Sequence, residues 1–208
     1  MLALHVSSSS GPTSGPRTSS KLVTRREALA RRDALPAAVR AAASARICER
    51  VLADLTAHVT APHAVIAVYA ATRSEVDLAP LDAALRAAGF RVAYPRVRDA
   101  ERALAFALAA PADLVAAASL ALREPPASAP AIALADVAAF VVPGAAYDRL
   151  GHRLGWGRGH YDATFPAAPH ARRLGVAFDC QLVAALAPEP HDVDMHAVIT
   201  ELATHEVP

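Results

Sequence analysis

The chain has 208 residues, 54% of them hydrophobic but only 5% aromatic, with 21 basic and 20 acidic side chains and a formal charge of +1. So even a balance gives no overall field for nucleic acid or a membrane surface, and no apolar run approaches the ~20 residues of a membrane span. The length suits one domain with a substantial core. Cys48 and Cys180 lie far apart with no C-x-x-C spacing, which argues against a zinc site or a disulfide scaffold and for reduced thiols in a cytoplasmic protein.

Residues 1–20 are rich in Ser, Gly, Thr and Pro and are expected to form a disordered tail ahead of a single α/β domain spanning 21–204. From Lys21 to about Leu35 the pattern predicts a basic helix with Lys21, Arg25 and Arg32 on one face. Lys21 is the only lysine among 21 basic residues. In a chain so biased to arginine, it hints at a position that needs a compact, mobile ammonium, as phosphate contacts do. A second helix should start at Pro36, a good first-turn residue, and run to about His58.

The period then changes. Residues 64–69 (Ala-Val-Ile-Ala-Val-Tyr) read as a buried strand. A loop follows to Val76, and Asp77 can cap a helix that Gly89 ends. A short strand over 91–94 should stop at Pro95. Further strands are expected at 104–108, 137–142, 174–177 and 198–200. Strands alternating with helices indicate an α/β fold with a mostly parallel sheet. The stretch from Pro111 to Pro130 gives no clear pattern.

Arg153-Leu154-Gly155-Trp156-Gly157-Arg158-Gly159-His160-Tyr161-Asp162 carries the most chemistry. Glycines let the backbone approach an anion, arginine offers a planar fork for phosphate oxygens, and Asp162 is a hard oxygen ligand of the kind Mg²⁺ prefers. A G-x-G-x-G run is equally consistent with a flexible loop. Its place after the apolar run 137–142, which ends at Pro143-Gly144, favours a ligand site, because open α/β sheets bind at such turns. His191 and His196, with Asp192 and Asp194 between them, lack the further His or Cys a transition-metal site would need.

These residues resemble the 5-formyltetrahydrofolate cyclo-ligase family, over roughly residues 21–202. The matching blocks come in the family's order. They are Lys21-Leu22-Val23-Thr24-Arg25 with Leu29 to Leu35, Glu75-Val76-Asp77, Tyr94-Pro95-Arg96-Val97, Glu124-Pro125, and Val142-Pro143-Gly144 with Asp148, Gly151 and Arg153 to Asp162. Glu189-Pro190-His191-Asp192 closes the series.

The resemblance implies a three-layer α/β/α fold and an ATP- and Mg²⁺-dependent closure of a reduced folate. It implies that Lys21 and Arg153 are catalytic. Lys21, Arg25 and the span Arg153, Leu154, Gly155, Trp156, Gly157, Arg158, Gly159, His160 and Tyr161 would bind nucleotide. Ala70, Glu75, Trp156, Gly157, Arg158, Gly159 and His160 would bind folate, and Asp162 and Asp192 would hold magnesium. His160 departs from the family's usual residue, while Trp156 and Arg158 occupy variable positions of the signature. A monomer acting on small molecules is expected. The rival readings are a regulatory nucleotide-binding paralogue without cyclo-ligase activity, and a sugar-phosphate isomerase or acyl-CoA transferase of related architecture, neither of which consumes ATP.

Overall fold

In the computed structural model, residues 16–98, 101–117 and 122–207 are described. The elements are α1 (Pro16–Asp33), α2 (Ala37–His58), β1 (Val65–Ala67), α3 (Ala79–Ala87), β2 (Arg91–Arg96), β3 (Ala105–Leu108), β4 (Val115–Ala116), β5 (Arg123–Glu124) and β6 (Ala131–Ile132). They continue with β7 (Val137–Pro143), β8 (Ala146–Tyr147), β9 (Arg153–Leu154), α4 (His160–Thr164), β10 (Arg172–Val176), β11 (Ala197–Ile199) and β12 (Thr204–Glu206).

Eight strands form one sheet in the order β12-β11-β10-β7-β1-β2-β3-β6. The central strands β11, β10, β7, β1 and β2 run parallel, while β12, β3 and β6 are antiparallel additions at the edges. From β1 the chain builds towards β2; from β7 it builds the other way, through β10 to β11. The strand order therefore reverses between β1 and β7, and the crevice beyond the carboxyl ends of those strands is where such sheets bind ligands.

The two faces of the sheet are covered unequally. One face packs Ile66, Val68, Val92, Val141 and Leu174 against Ile47, Val51 and Leu55 of α2 and Leu81 and Leu85 of α3. The other packs Ala67, Phe140, Val142 and Val198 against Phe165 and Ala168 just beyond α4. Phe140 sits between Phe106 and Phe165 in two edge-on ring contacts of 5.6 and 5.5 Å. This second layer is made of a five-residue helix, a short 3-10 turn and loops instead of long helices. A register shift between β1 and β7, with Val65 opposite Val137 and Ile66 opposite Ala139, sets which β7 side chains face which layer.

Several boundaries differ from the sequence reading. Helix α1 begins at Pro16, so residues 16–20 of the expected tail are helical; residues 1–15 lie outside the described ones. Strand β12 carries the domain past 204, to Glu206. Strand β2 runs through Pro95 to Arg96, since Pro95 lies near the end of its pairing with β3. The Asp77 carboxylate accepts the Ala79 N–H at 3.0 Å, while Leu78 occupies the capping position itself. Gly89, at φ +88°, ends α3 as expected. Within the unpatterned stretch, a 3-10 turn over Pro111–Asp113 precedes the small β4–β5 hairpin; residues 118–121 are outside the described ones. Two short sequence blocks meet here: Arg96 Nε donates to the Pro125 carbonyl at 3.0 Å, and Glu124 Oε1 accepts the Val97 N–H at 3.0 Å.

Candidate active site at the strand switch point

The turn after β7 is fixed from below. Gln181 Nε2 donates to the carbonyls of Gly144 and Ala145, at 3.1 and 2.9 Å, and the Tyr147 hydroxyl donates to the Val142 carbonyl at 2.7 Å. A Cβ at Gly144 would lie 2.6 Å from the Tyr147 ring, so only glycine fits beneath that aromatic. The β8–β9 hairpin then delivers Arg153 and the glycine-rich loop to the sheet's carboxyl edge.

Asp148, fully buried, organises the connection. Its carboxylate accepts the N–H groups of Leu150, His152 and Leu186, and pairs with His152 Nδ1 at 2.8 Å. The Leu186 bond ties the 148–152 turn to the segment that leads to Glu189 and Asp192. One buried side chain thus positions two loops.

Three cations meet three carboxylates in front of this scaffold. Lys21 Nζ donates to Glu189 Oε1 at 3.0 Å and to Asp192 Oδ2 at 3.4 Å. Partial burial opposes its charge, but the Glu189 hydrogen bond and the Asp192 and Glu189 charges outweigh it and hold the ammonium above the ordinary lysine range. Arg25 Nε donates to the Gly155 carbonyl at 2.9 Å. Arg153 Nη2 donates to Asp162 Oδ2 at 2.8 Å and lies over the Tyr161 ring, 5.5 Å from its centroid. Asp162 and Asp192 are drawn together through backbone, since Asp162 Oδ1 accepts the N–H of Val193 at 3.4 Å.

The remaining loop residues divide between anchors and exposed surface. Leu154 is buried against Ala28 and Ala146, and its carbonyl accepts the Ala145 N–H, so this residue anchors the loop. Gly157 and Gly159 take φ of +88° and +66°, a region L side chains rarely adopt. His160 Nδ1 donates to the Arg102 carbonyl at 2.7 Å, so that nitrogen carries a proton. Arg102 also donates to the Arg158 carbonyl at 3.4 Å, while the Trp156 side chain is 46% exposed. Beyond β1, Ala70 is half-buried, and Glu75 Oε2 accepts the Thr72 N–H and hydroxyl at 2.9 and 3.1 Å.

The donor set suits a hard divalent cation and phosphate. Glu189, Asp192 and Asp162 offer carboxylate oxygens, and Glu189, His191 and Asp192 have ligand atoms within 4.8 Å of one another. Arg153 Nε is buried with no acceptor among the described residues, a donor that an anion would satisfy. His196 does not join His191: its Nδ1 accepts the Arg173 N–H at 2.9 Å. Cys48 and Cys180 are both free, Cys48 buried and Cys180 half-buried. No described helix is long and apolar enough to cross a membrane.

Sequence reading missed Glu189 as the closer partner of Lys21, and it missed the Arg102 cover on the glycine loop. An E-x-H-D block was the available signal for the first; nothing local marked the second.

Comparison with known proteins supplies a family and a fold. Residues 17–201 match the model of the 5-formyltetrahydrofolate cyclo-ligase family. A 5-formyltetrahydrofolate cyclo-ligase from Mycolicibacterium smegmatis is 44% identical over 92 residues, which are 43% of this chain and 47% of that protein. The chain thus spans about half the length of that relative. One from Escherichia coli K12 is 32% identical over 139 residues, covering 65% of this chain and 76% of its own. The NMR structure of Aquifex aeolicus 5,10-methenyltetrahydrofolate synthetase superposes with a TM-score of 0.71 at 26% identity, covering 90% of this chain and 92% of that one. A 5,10-methenyltetrahydrofolate synthetase from Mycoplasma pneumoniae shares the fold, with a TM-score of 0.71 at 21% identity over 87% of this chain and 98% of its own. With its family match running from the first helix to the end of the parallel sheet, this chain belongs to the 5-formyltetrahydrofolate cyclo-ligase family.

Proposed function

We propose that the protein closes 5-formyltetrahydrofolate to 5,10-methenyltetrahydrofolate, consuming ATP and releasing ADP and phosphate. The observation that carries this reading is the meeting of Arg25 and Arg153 at the glycine loop, with Lys21 held on Asp192 and Asp162 bonded to the neighbouring Val193 N–H. The terminal phosphoryl group of ATP passes to the formyl oxygen, leaving an electrophilic carbon. N10 attacks that carbon and gives up its proton to water, the C–O bond breaks, and the oxygen departs with phosphate.

Phosphoryl transfer asks for positioning and charge neutralisation more than for a covalent nucleophile. In this chain Lys21 and Arg153 neutralise the transferring phosphate, Arg25 holds the glycine loop, and the loop's N–H groups face the remaining phosphates. Arg153 Nε, buried and without an acceptor among the described residues, fits a phosphate oxygen. Asp162 and Asp192 would hold Mg²⁺, which supplies charge neutralisation of the phosphates. Glu75 and Ala70 beyond β1, with the span Trp156 to His160, bind the folate. Protein and small molecules suffice; a monomer working in the cytoplasm fits this chemistry.

The test is folate-dependent release of ADP coupled to the absorbance of methenyltetrahydrofolate. Equimolar ADP and methenyl product is expected. Nucleotide binding without product would favour the regulatory paralogue instead.

A further inference from the structure

Arg32 lies in the last turn of α1 and is only 2% exposed. Its Nε and Nη2 both donate to Asp33 Oδ1, each at 3.1 Å, and the same oxygen takes the Ser74 hydroxyl. The third nitrogen, Nη1, is buried and has no acceptor among the described residues. A buried guanidinium N–H without a partner is costly, so such a group calls for a ligand or a reason.

Its surroundings supply the ligand's outline. Arg32 lines a recess at the carboxyl ends of β1, β7 and β10 together with Tyr69, Glu75, Gly144 and Gln181. The recess is about 10 Å³, room for one polar group but not for a ring. Trp156 lies across the guanidinium, 5.6 Å from its carbon to the indole centroid, and marks the rim. Glu75 commits only Oε2 to Thr72; Oε1 has no partner among the described residues. One free donor and one free carboxylate oxygen therefore line the same narrow opening. Arg32 already has its counter-charge in Asp33, so its remaining N–H suits a neutral carbonyl better than a second carboxylate.

We propose that Arg32 is a specificity-determining residue for the pterin ring of the folate, its Nη1 donating to the ring's 4-oxo group while Glu75 accepts from the adjacent N3–H and 2-amino edge. This assignment rests on the cyclisation proposed above. The carbonyl edge enters the recess, and the ring lies at the rim beside Trp156. Asp33 and Ser74 act as positioning residues, because they fix the guanidinium with one nitrogen pointing away from them.

The experiment compares equilibrium binding, by calorimetry without ATP, of 5-formyltetrahydrofolate, its 4-amino-4-deoxy counterpart and a pteroate lacking the glutamate. A 4-amino group is a donor and would face the Arg32 N–H. Wild type should prefer the 4-oxo ring at least tenfold. Arg32→Met should weaken 4-oxo binding ten- to hundred-fold and erase that preference, leaving KM for ATP unchanged, and Arg32→Lys should recover part of the loss.

Wild type with no 4-oxo preference, or Arg32→Met that keeps it, overturns the proposal. So does an Arg32→Met penalty that disappears with the glutamate-free pteroate, which would assign Arg32 to the tail. If Arg32→Met does not fold, the wild-type preference and the Arg32→Lys titration decide. Wild type that makes methenyl product but shows no ring preference sinks only the Arg32 assignment; wild type that binds no reduced folate sinks the proposed function too.

Discussion

The two sides of the site are built differently. On the proposed phosphate side, Lys21 of α1 pairs with Glu189 and Asp192 across partly exposed space, beside the more enclosed Arg153–Asp162 pair. On the recess side, Tyr69, Arg32 and Gln181 are buried, and each is held by short-range bonds to its own framework. Charges that can exchange partners suit a substrate that arrives with several negative charges and leaves divided. Fixed donors and acceptors suit a neutral ring that must be told apart from its relatives, since a buried polar site rejects a ligand that leaves it unpaired. Affinity for nucleotide should therefore depend on charge and salt, and selection of folate on geometry.

The largest test of this contrast is Lys21→Ala. Removing one charge-assisted hydrogen bond of ~1.5–3 kcal/mol should raise KM for ATP and lower turnover, together by roughly ten- to hundred-fold. KM for folate should move little, and Lys21→Arg should restore only part, since a planar fork is not a point charge. Steady-state kinetics against each substrate separate these outcomes. Wild-type kinetics in Lys21→Ala would reduce the Glu189 and Asp192 contacts to a surface ion pair.

Gly157→Ala probes the loop without adding bulk. A Cβ there would sit 3.7 Å from Arg25 Nη2, ordinary contact, so the penalty comes from φ of +88°. With the free loop relaxing out of that conformation and re-forming it on binding, a strain of about 1–2 kcal/mol predicts ATP affinity down by roughly ten-fold and thermal stability close to wild type. Unchanged ATP binding, measured by titration, would mean that the loop does not cradle the nucleotide.

Asp162→Asn and Asp192→Asn should each raise the Mg²⁺ concentration needed for half-maximal activity. They should differ in stability. Asp162 neutralises Arg153, whose side chain is 8% exposed, so its loss should cost about 1–3 kcal/mol even without metal. Asp192 faces the more exposed Lys21, and its loss should cost less than about 1 kcal/mol. Thermal melts in chelator distinguish the two; equal midpoints would contradict the assigned burial.

The smallest effect concerns acid stability. The Ser74 hydroxyl, with the Arg32 guanidinium, holds the Asp33 carboxyl below its ordinary 3.8. A depressed carboxyl stabilises the fold above the unfolded value and loses that contribution as pH falls through the folded one. Ser74→Ala should therefore narrow the stability gap to wild type only below about pH 4. A gap that widens on acidification would contradict the sign.

Much of this was legible in the sequence because it is local. Gly89 as a helix stop, Pro36 ahead of α2 and the apolar run of β7 follow from propensity and period alone. The common face of Lys21, Arg25 and Arg32 was legible too: Arg25 reaches Gly155 and Arg32 reaches Trp156. The short strands β4, β5, β6, β8 and β9, at two residues each, are too brief to show a period and exist through their partners. Arg32 read as one more cation on the basic face of α1. Its burial comes from Trp156, Ser74 and the ends of three strands, and no local pattern announces that kind of enclosure.

One feature of the Lys21 pair bears on how the molecule is made. Its two contacts join positions 168 and 171 residues apart, and Arg25 meets Gly155 across 130. Contacts of such separation carry a high loop-closure cost and form late. During synthesis α1 therefore emerges about 170 residues ahead of its acidic partners. Over that interval a nascent chain presents Lys21 without the carboxylates that neutralise it, and the proposed phosphate site comes into being in a closing step that joins distant parts of the fold.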